Sequence, residues 1–104
     1  MTAPRRLGDA LRELRAEAAP QTLLAAAQSA WPQAAGMRVA EEARPVIERD
    51  RVITVACRSA TWAQELDLLG ATLLERLNAD AGVSGHGGIE RLRFTADGAR
   101  HADP

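Results

Sequence analysis

One cysteine, two histidines and a handful of carboxylates are the groups in this 104-residue chain that could do covalent, metal or acid–base chemistry. Cys57 lies in "RVITVACRS", and a nucleophilic thiol there would need an activating imidazole or cation. No histidine or carboxylate is patterned around it, so it is expected to serve as a small core residue. A single cysteine forbids an internal disulfide, and with only His86 and His101 elsewhere no zinc ligand set exists. Glu41-Glu42, Glu48 and Asp50 read as solvated surface charge rather than an acid/base pair. Gly82, Gly85 and Gly88 in "NADAGVSGHGG" invite a phosphate-loop reading, but such a loop leads from a strand into a helix and carries a lysine. Here the glycines follow a helix and precede a strand, so a flexible connector is expected, with His86 a solvated residue in it. The chain therefore reads as a non-enzyme, with no catalytic residue, no metal and no cofactor.

What remains is binding chemistry, and its reagent is arginine. All 13 basic residues are arginine, offset by 14 acidic ones to a net charge of −1. Bulk charge gives no general pull toward nucleic acid or an acidic membrane, so any attraction must come from a local patch. The hydrophobic fraction of 46% and charged fraction of 26% fit one soluble globular domain. Arg5-Arg6 is followed by Asp9, Arg12, Glu13, Arg15 and Glu17 where an export signal needs an apolar stretch. No apolar run approaches the roughly 18 residues of a membrane span. A cytoplasmic protein without membrane association is expected.

The elements that must position any patch follow from periodicity. Leu7, Ala10, Leu11 and Leu14 predict a first amphipathic helix over about 5–18, ended near Pro20. A second begins there and runs through Leu24, Ala27 and Trp31; Pro32 predicts a break at Trp31, with 33–42 continuing as another helical piece. "RPVIERDRVITVACRS" then predicts a hairpin with strands at 44–48 and 51–58, and Pro45 places the first at a sheet edge. In the second strand Ile53, Val55 and Cys57 share the apolar face. A helix from about 60 follows, opened by a Thr61–Gln64 capping box or by Ser59. Its stripe of Trp62, Leu66, Leu69, Leu73 and Leu77 faces the core, with Trp62 expected to pack rather than to meet a partner. "IERLRFT" is a last strand with Leu92 and Phe94 on one side, and the tail 96–104 reads as disordered.

The order is α-α-β-β-α-β, an α+β domain over residues 1–95 with helices on one face of a three-stranded sheet. Taking Ile53, Val55, Leu92 and Phe94 inward leaves Arg58, Arg91 and Arg93 on the open side, where Thr54 also projects. Those three arginines are the candidate nucleic-acid contacts: to phosphates, weak, and tolerant of sequence. A solvated face paired with carboxylates is the competing expectation.

Trp31, Gly36, Arg44-Pro45, "DRVITVACRSATWAQEL", "LLERLN" and "IERLRF" together resemble the DciA family, long known as domain of unknown function 721, over about residues 20–95. The most specific part is the strand followed by "SATWAQEL", where Trp62, Glu65 and Leu66 match the family pattern. The resemblance implies a fold similar to the type II KH domain and a role with the replicative helicase DnaB, favouring its loading on single-stranded DNA. It makes Trp62, Glu65 and Leu66 a partner-binding or structural signature. Relatives often carry Asp-Gly at the hairpin turn where this chain has Asp50-Arg51, so a looser turn without positive φ is expected. Many also carry a longer basic tail than this one, which holds only Arg100, so DNA contact is expected to be weak. A KH-like module for RNA or single-stranded DNA without a helicase partner is the alternative reading, and a monomer is the expected state.

Overall fold

The computed structural model describes residues 21–96. The helix expected over 5–18 and the tail from 97 onward lie outside the described residues. Two helices, α1 (Leu23–Ala35) and α2 (Met37–Glu42), lead into strands β1 (Ala43–Arg49) and β2 (Val52–Cys57). Three helices, α3 (Ala60–Leu68), α4 (Gly70–Asn78) and α5 (Ala81–Gly85), precede β3 (Arg91–Thr95). The class is α+β in the expected order, with the helices packed on a sheet of strand order β1-β2-β3. β2 is central, antiparallel to β1 and parallel to β3. Among the described residues no helix is long and apolar enough to cross a membrane, and no cluster of three metal-ligating side chains forms.

The helix break lies at Gly36, not at Trp31. α1 runs through Pro32 to Ala35, and the chain turns where Gly36 takes φ 97°, its N–H bonding back to the Pro32 carbonyl. Proline removes one helical hydrogen bond, but its ring faces solvent while Trp31 beside it is anchored. The Trp31 ring is 2% exposed and its Nε1 donates to the Ala43 carbonyl at 2.7 Å. The helix beyond β2 is likewise two helices, because the backbone leaves helical geometry at Leu69. That break exposes Leu69, while Leu66, Leu73 and Leu77 stay buried. Of the two expected N-caps, Ser59 is the one used, accepting from the Trp62 N–H at 3.2 Å.

The core joins Trp31 and the alanines of α1 to Ile53, Val55 and Cys57 of β2, Leu66, Leu73 and Leu77, and Leu92 of β3. Cys57 is buried as expected, and burial pushes its thiol pKa up, opposed by a backbone hydrogen bond at Thr95. A thiol held neutral in this way is a packing group.

The glycine-rich segment is tied down rather than a loose connector. Asp80 caps α5 through the N–H groups of Gly82 and Val83, and Val83 is fully buried. Asn78 grips Ile89 from both sides, donating to its carbonyl at 2.9 Å and accepting its N–H at 2.7 Å.

Candidate nucleic-acid interface

The site begins at the hairpin turn. Arg49 pairs with Val52, leaving a two-residue turn in which Asp50 and Arg51 take φ 51° and 68°. The looser turn expected for this sequence is therefore not formed: positive φ at both positions is the geometry that best matches strand twist. Holding a non-glycine residue there costs about 1–2 kcal/mol, and tertiary bonds offset it. The Arg51 N–H donates to Glu48 Oε2 at 2.8 Å, and its carbonyl accepts the Glu90 N–H at 2.8 Å. Its guanidinium donates to the carbonyls of His86 and Gly88 at 3.0 and 2.6 Å. A side chain at Gly87 would collide with that guanidinium. Arg51 thus fastens the hairpin to the segment that delivers β3, and so fixes the register of β3 on β2.

Register decides which side chains share a face, since directly paired residues project to the same side. Thr54 pairs with Arg93 and Val52 with Arg91 across the parallel seam. Across the antiparallel seam Ile47 pairs with Thr54 and Arg49 with Val52. A bulge between Pro45 and Ile47 shifts the alternation, so that Arg44 pairs with Ala56 and returns to the same face while Ala43 and Pro45 turn inward. The face away from the helices therefore carries Arg44, Arg49, Arg91 and Arg93 around Ile47, Val52 and Thr54, with Arg58 continuing it beyond the end of β2. All five arginines are exposed.

Arg91 and Arg93 stand where alternation places them. Arg58 differs: it lies 3.7 Å from Glu42, whose carbonyl also accepts its N–H. Among the five, Arg58 alone has a carboxylate in ion-pair range among the described residues, so its charge is already answered. Arg44 and Arg49 were not expected at this site. The two-residue turn alone would have revealed Arg49, but Arg44 depends on a bulge that no residue pattern announces. Adjacent strands sit about 4.8 Å apart, so four guanidinium groups on three strands, none ion-paired among the described residues, make a positive surface inside a chain of net charge −1.

The family signature on α3 divides. Leu66 is buried and cannot touch a partner, Glu65 is exposed, and Trp62 packs against the core while staying partly exposed.

Residues 6–94 match the family model described as Dna[CI] antecedent, DciA. A UPF0232 protein of Streptomyces coelicolor is 35% identical over 99 residues, covering 91% of this chain and 50% of the relative. A UPF0232 protein of Streptomyces avermitilis is 36% identical over 99 residues, covering 91% and 53%. One from Mycobacterium tuberculosis is 31% identical over 98 residues, covering 92% and 51%. This chain thus spans about half the length of the curated relatives it matches. With the family model matched from the first described helix to the last strand, and relatives above 30% identity along the same stretch, the chain belongs to the DciA family.

Proposed function

We infer that this chain is a non-enzymatic adaptor that promotes or regulates loading of the replicative helicase DnaB on single-stranded DNA in bacterial chromosome replication. Membership of the DciA family supports a role in replication, and that match is the observation that carries the reading. The open sheet face supports the DNA half of it: four exposed arginines with no carboxylate in ion-pair range among the described residues, and no aromatic beside them. Such a surface takes phosphates rather than stacked bases, and so tolerates any sequence. The same face favours the second reading, a KH-like nucleic-acid module that acts without a helicase.

The helicase half rests on α3, where Trp62 and Glu65 reach the surface above the buried Leu66. A half-buried indole gives a partner an apolar anchor while its inner edge remains part of the core. Replacing Trp62 by alanine is expected to destabilise the domain by about 1–2 kcal/mol, less than a fully buried tryptophan would. Capture of DnaB by the same variant should fall by about tenfold or more. Retained capture would remove α3 from the helicase contact; loss of folding with restoration of both properties by phenylalanine would return Trp62 to a purely packing role.

A further inference from the structure

The two edges of the sheet are treated differently. Along the first half of β1 the outward groups are occupied: the Ala43 carbonyl accepts Trp31 Nε1, the Pro45 carbonyl accepts Gln28 Nε2 at 3.1 Å, Pro45 has no N–H, and a bulge follows. These are the devices that stop an edge from templating another strand. At Arg91 and Arg93 of β3 the backbone has no such partner among the described residues. Because Glu90 donates toward β2, at the Arg51 carbonyl, strand alternation turns the N–H and C=O of Leu92 and Phe94 inward and those of Arg91 and Arg93 outward.

We propose that the outer edge of β3 is a docking site for an extended peptide segment of a partner protein, one that alternates acidic and apolar residues. Arg91 and Arg93 project on the open side of this edge and call for carboxylates opposite them. On the helix side the edge meets an apolar corner: α3 packs over β3, a Cβ at Gly70 would lie 3.7 Å from the Phe94 ring, and the adjoining Leu68 is 85% exposed. An added strand with period two places its acids against the arginines and its apolar side chains at that corner. A second copy of β3 is the wrong occupant, since it would bring arginines opposite arginines. The backbone groups of this edge are distinct from the phosphate-binding sheet face, but the side chains of Arg91 and Arg93 belong to both.

The test uses the full 104-residue chain with an end-blocked Glu-Val-Glu-Val-Glu-Val peptide, its Lys-Val counterpart, and a thymidine oligonucleotide, read by amide hydrogen exchange. The acidic peptide is expected to slow exchange of the Arg91 and Arg93 amides by about tenfold or more, and the lysine peptide to leave them unchanged. Arg93→Pro, which deletes an outward N–H but no bond to β2, should weaken binding by a further tenfold or so over Arg93→Gln. Leu68→Asp, at an exposed position, should weaken it without altering the melting temperature. Three results would each overturn the proposal: Arg91 and Arg93 amides already protected in the free chain, an acidic peptide that binds without protecting them, or an oligonucleotide that protects them as well as the peptide does.

Discussion

Trp31→Ala is expected to be the most damaging single substitution in the chain, removing about 3–5 kcal/mol. The ring is almost wholly buried between α1 and β1, and its N–H satisfies an edge carbonyl that has no strand to pair with. A small domain is stable by about 5–15 kcal/mol, and each kcal/mol moves the melting temperature of a 60–100-residue domain by about 4–8 °C. Thermal unfolding of the variant should therefore shift down by about 12–40 °C or lose its cooperative transition. Trp31→Phe keeps most of the ring but orphans the Ala43 carbonyl, an intermediate loss of about 1–3 kcal/mol. A melting curve for Trp31→Ala that overlays the parent would mean that α1 does not hold the β1 edge.

The second large effect belongs to the open sheet face. Replacing Arg44, Arg49, Arg91 and Arg93 together by glutamine should lower affinity for single-stranded DNA by on the order of a hundredfold at low salt. The dependence of log K on log salt should flatten by up to about 0.7 for each phosphate no longer neutralised. Stability should hold or rise slightly, because the four side chains are exposed and the like charges repel one another. Arg58→Gln alone should change DNA affinity least, since Glu42 already answers its charge. Salt titrations of the quadruple and single variants against an unstructured oligonucleotide give both numbers. An unchanged slope in the quadruple variant would place any DNA contact elsewhere.

Much of this architecture was legible in the residues because period-two and period-3.6 patterns record burial directly. Ile53, Val55 and Cys57 fell on the inner face, Pro45 fell on an edge strand, and Leu66, Leu73 and Leu77 fell in the core. Two departures share a cause, a local preference overridden by a distant contact. Pro32 signalled a break, but α1 continues because Trp31 is anchored to β1 and the chain can turn four residues later at a glycine. Asp50-Arg51 lacked the glycine of a tight turn, yet the carbonyls of His86 and Gly88, more than 30 residues away, hold Arg51 in place. The stripe from Trp62 to Leu77 was read as one helix, and nothing in its spacing marks the turn at Leu69. Three of the sheet-face arginines, Arg58, Arg91 and Arg93, follow from alternation, whereas Arg44 needs a register shift that only the pairing reveals.

The adaptor account turns most directly on whether this chain brings DnaB to single-stranded DNA. The decisive measurement is the amount of helicase retained on closed circular single-stranded DNA, with and without the full chain, using DnaB from the same organism. With the parent chain, retained helicase should change severalfold. Trp62→Ala should abolish the change while leaving DNA binding intact. The quadruple arginine variant should still capture DnaB in solution but alter its retention little. A chain that binds the DNA yet neither captures DnaB nor changes its retention would contradict the account and leave a nucleic-acid module without a helicase partner.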